Sequence, residues 1–187
     1  MSFIKKARIA PILAASVLLA SCGQSGGGET AKPVAGGPVA PAPAKTFAEA
    51  VTRAEAAGSI PVLDRGTSVP GTDANADGVR DDIEKYINSL PDTEAQKTAL
   101  RQTARAFGAV LTADPQSQSA LNAASAKLSN ASSCVFSQYP DALASKRAHE
   151  IEQFYVNTQQ RFDAYNSFNE ATSGTTSLSP VGSGCEN

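Results

Sequence analysis

Apolar positions recur at helical spacing through the second half of the chain, and nowhere do they alternate as a strand requires. Ile83, Tyr86, Ile87 and Leu90 share one face of a short helix. Pro91 ends it, because proline has no N–H to carry the ladder onward. Asp92 is placed to cap a second helix, Thr93 to about Ala113, with Leu100, Ala104, Phe107 and Leu111 on one stripe. Asp114-Pro115 offers a cap and a first-turn proline to a third helix carrying Leu121, Ala124, Leu128 and Ala131. From Pro140 the spacing predicts the longest helix, to about Asn169, with a stripe of Leu143, Arg147, Ile151, Phe154, Tyr155, Thr158, Phe162 and Tyr165. Upstream, Thr46-Phe47-Ala48-Glu49 has the spacing of a capping box, and the helix it opens should stop near Gly58. Between these helices Pro61, Gly66, Pro70 and Gly71 enforce an extended or looped stretch. Ser173 to Asn187 is Gly/Ser/Thr-rich and should be irregular. The expected fold is a small all-α bundle of four to five helices over residues 46–187, with a calcium loop (argued below) at 73–84 and no internal repeat.

Residues 1–45 break this pattern. A basic start with Lys5, Lys6 and Arg8 leads into an apolar run from Ile9, about the length of a signal peptide and too short to span a bilayer comfortably. The run ends in Leu19-Ala20-Ser21-Cys22. This resembles the lipobox of bacterial lipoproteins. The resemblance implies that residues 1–21 are a removed lipoprotein signal peptide and that Cys22 carries lipid on its sulfur, anchoring the chain to the cell envelope. Small residues at 20 and 21 suit a peptidase that grips a narrow, extended backbone. The resemblance also favours the outer membrane, facing the periplasm, because Gly23 stands where an aspartate would signal inner-membrane retention. The plainer alternative is an ordinary secretory signal with an incidental cysteine. Residues 22–45 read as a flexible linker: between Gly23 and Lys45 lie six glycines and four prolines, too little apolar surface to offset ordering.

Charge narrows the partners. The 187-residue chain has a formal net charge of −2. Without the three basic leader residues, 13 basic residues face 18 acidic ones, a net −5. That gives no basic face for nucleic acid and no polybasic patch for anionic lipid, so membrane attachment would rest on the anchor alone. With 6% aromatic residues and no Trp, the core must be built largely from Ala, Leu, Ile and Val. Three cysteines and one histidine leave little for a transition-metal or thiol enzyme. If Cys22 is lipidated in an oxidising compartment, Cys134 and Cys185 most simply make one disulfide, worth roughly 3–4 kcal/mol on the chain-entropy view; two separate thiols are the alternative.

The stretch between the first two helices ends in DANADGVRDDIE, Asp73 to Glu84, with five acidic residues in twelve. Counted from Asp73, the residues Asp73, Asn75 and Asp77 hold positions one, three and five. Gly78 is six, the Val79 carbonyl seven, Asp81 nine and Glu84 twelve. That is the calcium-loop pattern D-x-[DN]-x-[DN]-G-x5-E. Calcium is a hard cation that takes about six to eight oxygens at roughly 2.3–2.6 Å. Alternate residues on a tight loop aim oxygens at a common centre. Gly78 permits the sharp turn, Glu84 closes the site from one turn into the helix, and Asp81 acts directly or through water. An acidic helix N-terminus with Asp81 or Asp82 as cap explains one or two carboxylates, but not Asp73, Asn75, Asp77 and Gly78 together. Without the cation these carboxylates repel one another and the loop should loosen.

The segment resembles an EF-hand loop, with departures. Arg80 holds position eight, usually aliphatic, and Pro70 and Gly71 replace the entering helix; no second loop follows. It is more similar to the lone loops of dockerin and thrombospondin type 3 modules. Its VRDDIEKYI run is also similar to uncharacterised proteobacterial envelope proteins, over Leu63 to Leu90, about a sixth of the chain. The resemblance implies a structural calcium site of weak affinity, around 10⁻⁴–10⁻³ M. Arg80 should reach a carboxylate or lie over Tyr86; a solvated position is the alternative.

His149 sits in the helical pattern KRAHEIEQF beside Lys146, Arg147 and Glu150, more readily a helix-face residue than a catalytic one. Nothing resembles a nucleophile elbow. Glu150 and Glu152 read as surface charges, and the Phe154, Tyr155, Phe162 and Tyr165 stripe as core before groove. The expectation is a non-enzymatic envelope lipoprotein whose calcium-stabilised domain works through contacts with an envelope protein or other surface partner. The alternatives are a small envelope hydrolase built on His149, with calcium as support, and a calcium-dependent adhesion module.

Overall fold

A computed structural model of the chain describes residues 43–176 and 180–186. Cys22 and most of the linker lie outside the described residues. The domain is all-α: α1 Phe47–Ala56, α2 Asp81–Ser89, α3 Glu94–Thr112, α4 Gln118–Gln138, α5 Asp141–Tyr155 and α6 Gln159–Thr172. Among the described residues there is no strand, and no helix is long and apolar enough to cross a membrane.

Side-chain chemistry sets the helix ends. The Thr46 hydroxyl accepts from the Glu49 N–H at 3.1 Å, while the Glu49 carboxylate reaches past it to the Lys45 N–H at 2.7 Å. Gly58 follows the last turn, and the Gly58 and Ser59 N–H groups bond back to the Glu55 and Ala54 carbonyls, closing α1 as a Schellman motif. The cap of α3 is Thr93, not Asp92. Its hydroxyl accepts from the Gln96 N–H and the Gln96 side chain accepts from the Thr93 N–H, whereas Asp92 is drawn away by Tyr139 and Arg147. Asp114 likewise does not open α4: it accepts from the Gln116 N–H in a local turn, and Ser117 caps the helix.

The largest departure is that the long helix expected from Pro140 is two, broken at Val156–Thr158. This split brings the described helices to six, where four to five were expected. Asn and Thr favour caps over helix interiors because their side chains compete for backbone groups. Thr158 caps α6, and Asn157 turns its amide to the Asp64 carbonyl at 2.9 Å. Two expected stripe residues therefore leave the core: Thr158 is a cap and Phe162 is exposed.

Helix α3 is the hub. Its Leu100, Ala104, Phe107 and Leu111 are buried with Val79, Ile83 and Ile87, Val135 of α4, and Ile151 and Tyr155 of α5. A smaller cluster joins Val110, Leu121, Ala124 and Phe168. The Cys134–Cys185 disulfide is formed and pins the tail to α4. Buried Gln102 adds two bonds, to the Gly184 carbonyl and from the Glu186 N–H.

Candidate functional site

The acidic loop is a series of short polar side chains folded back on their own backbone. Asp73 accepts from the Asp77 and Gly78 N–H groups at 3.2 and 2.9 Å. Asn75 accepts from Asp77, Asp77 from Val79 at 2.8 Å, and Asp81 from Ala74 at 2.9 Å. Gly78 adopts φ +84°, and a Cβ there would press on the Arg105 stem at 3.3 Å. The Asn75 amide donates both to Asp77, at 3.1 Å, and to Glu84, at 3.3 Å. It thus gathers positions three, five and twelve. Val79 plants its side chain in the core, fixing the backbone that carries its carbonyl. Asp73 and Asp81 instead aim at backbone N–H groups. Among the described residues no three His, Cys, Asp or Glu side chains stand close enough to enclose a metal ion.

Asp81 and Asp82 have different partners. Asp81 belongs to the loop; Asp82 faces the interior, where it accepts twice from Arg80, at 2.6 and 2.8 Å, and once from the Asp64 N–H at 2.7 Å. Arg80 thus finds a carboxylate but lies over Tyr155, 5.3 Å from the ring centre, and not over Tyr86. It is 1% exposed, so the solvated alternative does not hold. Its Nη2 also donates to the Phe154 carbonyl, while Nη1 is buried without an acceptor.

Sequence reasoning missed a second buried guanidinium, Arg161 of α6. It donates to the carbonyls of Val69, Ser68 and Asp64 and to the Asn157 side chain. Its charge lies 3.6 Å from the Asp64 carboxylate. Hydrogen bonds from the Gly66 and Thr72 N–H groups, with Arg161 and Arg80 behind them, hold that carboxyl below its ordinary range, while burial works in the opposite direction. One signal was available: residues 63–72 carry carbonyls that no helix can satisfy, so donors must come from elsewhere. Nothing in the pattern said which residue would supply them.

A second polar cluster ties α2, the α2–α3 loop, the end of α4 and α5. Arg147 bridges Asp92 and Glu150, the Tyr86 hydroxyl donates to Glu150 at 2.6 Å, and the Tyr139 hydroxyl donates to Asp92 at 2.9 Å. Burial disfavours the Arg147 charge, but the two carboxylates outweigh it and hold the guanidinium protonated. Glu150 and Glu152 are therefore partners of tyrosines, Glu152 accepting from Tyr165 at 2.6 Å. His149 is exposed, with its ring nitrogens facing Glu152 and Gln153 of its own helix.

A cavity of about 360 Å³ lies beside the loop and α3, lined by Asp73, Gly78, Arg80, Arg105, Lys127 and Tyr155 among others. Burial pushes the Tyr155 hydroxyl up to about 12. No protein-family model matches this chain, and neither a curated protein nor a solved structure matches it.

Proposed function

We propose that this protein is a non-enzymatic lipoprotein of the cell envelope, anchored through Cys22, whose helical domain is stabilised by calcium at the Asp73–Glu84 loop and acts through surface contacts. The supporting observation is the meeting of Asp77 and Glu84 around the Asn75 amide. Two acceptors, from positions five and twelve of the loop, already converge on one positively polarised group. A hard cation of calcium's size takes the same oxygens. The ligands would be Asp73, Asn75, Asp77, the Val79 carbonyl, Asp81 and Glu84. Asp82 is excluded by its two bonds to Arg80. Every donor is oxygen, which suits calcium and not a soft metal. Calcium bound there would link the loop to the first turn of α2 and offset the repulsion among the carboxylates.

Titrating calcium into the full chain in detergent, following thermal midpoint and heat of binding, tests this reading. At calcium about tenfold over a millimolar Kd, the folded state should gain roughly 1.4 kcal/mol, a rise of a few degrees. Glu84→Gln should abolish the rise. An unmoved midpoint, or a variant that still responds, removes calcium from the proposal. The anchor is tested by mass spectrometry of the mature N-terminus, which should find lipidated Cys22 as the first residue.

A further inference from the structure

Two positions of α3, about one turn apart, are committed to the tail. Buried Gln102 brackets Cys185: its amide donates to the Gly184 carbonyl at 2.8 Å and accepts from the Glu186 N–H at 3.0 Å. Further along the same face, Arg105 donates to the Glu186 carboxylate at 2.5 Å. On the α4 side the bond to Cys134 closes the seat. Gly184 lies so close to that helix that a Cβ would stand 2.5 Å from the Asn130 carbonyl oxygen.

Arg105 also touches the acidic loop. A Cβ built on Gly78 would meet the Arg105 Cγ and Cδ at 3.3 Å. The Gly78 N–H is the group that holds one Asp73 oxygen, at 2.9 Å, and Asp73, Gly78 and Arg105 line one cavity. The guanidinium therefore holds Glu186 while its stem lies beside the seat of Asp73. What keeps it on Glu186 is covalent. Glu186 is exposed, and an ion pair at the surface contributes little alone. Backbone entropy opposes the ordering of a chain end, and two hydrogen bonds with such a pair do not outweigh it. The disulfide holds Glu186 beside Arg105 at high effective concentration. Both cysteines line a cavity of about 200 Å³, but Cys134 is 2% exposed and Cys185 half-buried, so a thiol reagent meets Cys185 first.

We propose that this disulfide is a redox switch for the acidic loop, with Arg105 as its moving part. A dithiol reductant attacks the Cys185 Sγ; the S–S bond breaks, and Cys134 leaves as a thiolate and takes a proton. The second thiol of the reagent then displaces Cys185, so the reagent ends as a disulfide and the protein as two thiols. The tail comes away with Glu186, and the Arg105 guanidinium turns to the Asp73 carboxylate. Its charge then stands at a ligand position of the loop, and calcium binds more weakly. That last consequence rests on the calcium reading above; the movement of Arg105 does not.

The full ¹⁵N-labelled chain in detergent tests the two parts separately. In chelator, reduction with dithiothreitol should move the amide signals of Asp77 and Gly78, the groups bonded to Asp73. Glu186→Gln should move them the same way with the bridge intact, and in Arg105→Gln reduction should leave them in place. Calorimetry with calcium chloride should find affinity about fivefold lower in the reduced chain and in Glu186→Gln. Arg105→Gln should bind alike in both redox states. Glu94→Gln, which removes an equal charge from the exposed side of α3, should leave affinity unchanged. If reduction unfolds the domain, Glu186→Gln still decides, because that side chain is at the surface. Asp77 and Gly78 signals that stay fixed in Glu186→Gln overturn the switch even where calcium binds. So does a Glu94→Gln variant that weakens calcium as much as Glu186→Gln, since overall charge would then be the cause. Shifted signals with no calcium binding in any form overturn the calcium reading and the loss of affinity, and support the movement of Arg105.

Discussion

Helices α3 and α4 meet across Leu100, Ala104, Phe107, Leu121, Ala124 and Ala131, all buried and all apolar. The segment from Leu63 to Arg80 packs against the same core but gives it only Val69 and Val79. What holds it is polar: Arg161, Asn157, Asp82 and Asp64 bond its backbone, and Arg80 ties its end to Asp82 and the Phe154 carbonyl. The difference follows from where the backbone hydrogen bonds go. A helix satisfies its own carbonyls, so its sides need only be apolar. An irregular stretch cannot, and a guanidinium with five donors is the side chain best suited to collect them. Arg161 serves three carbonyls and one amide oxygen from a single position.

The largest effect expected from this contrast is at Arg161. Arg161→Ala strands those carbonyls and leaves Arg80 and Asp64 with altered charge balance; a loss of about 3–5 kcal/mol is expected in chemical denaturation. Leu100→Ala, a cavity change in the helical part, should cost a similar 2–5 kcal/mol but behave differently. Hydrogen exchange at Thr72 and Asp81 should quicken far more with Arg161→Ala than with Leu100→Ala. Equal effects would mean that the two regions are not held separately.

Reducing Cys134–Cys185 comes next. The bridge spans a sequence separation of 51, and its loss should cost about 2–4 kcal/mol. Because the tail also carries Glu186, reduction should loosen Arg105 beside Gly78, whereas the exchange of Asp64 and Gly66 should stay slow. Uniform loosening of both would show the tail supporting the entire domain.

The smallest effect is one of titration. All four tyrosines are held above their ordinary pKa, chiefly by burial. Tyr86, Tyr139 and Tyr165 each also donate to a carboxylate, and Tyr165, like Tyr155, is pushed up to about 12. The neutral forms are favoured by folding. Their stabilising effect is therefore complete below the unfolded pKa of about 10 and is lost as pH rises through the folded values. Phenolate absorbance should be nearly absent at pH 10.5 in the folded chain and appear together with unfolding. A quarter of the signal rising early would identify a tyrosine outside the network.

The helical half was largely legible in the sequence. Leu100, Ala104, Phe107 and Leu111 stand on the stripe that periodicity assigns, and Ile83 and Ile87 do the same for α2. The Thr46 cap and the Gly58 stop were readable because each depends on residues a few positions apart. Asp92, Asp114 and the break at Val156–Thr158 were not, because each is decided by a distant partner or by a rival cap nearby. At the loop, the spacing from Asp73 to Glu84 predicts oxygens turned to one centre; the fold brings Asn75, Asp77 and Glu84 together through the Asn75 amide, while Asp73 and Asp81 turn to backbone N–H groups. Arg80 was readable only as a departure from a pattern. Its true setting depends on Tyr155 and Phe154, far away in the chain.

Gly71 illustrates how tightly that setting is built: it adopts φ +78°, and a Cβ there would lie 2.3 Å from the Arg80 stem. The arginines also have a consequence in time. Asn157 and Arg161 reach back 93 and 97 residues to Asp64, and Arg80 reaches forward 74 to Phe154. Such closures form late, after the local helices have settled. A nascent chain whose α6 has not yet emerged can assemble the α3–α4 pair, but it has nothing with which to lock the segment that leads into the acidic loop. That loop would be among the last parts of the domain to take its final shape.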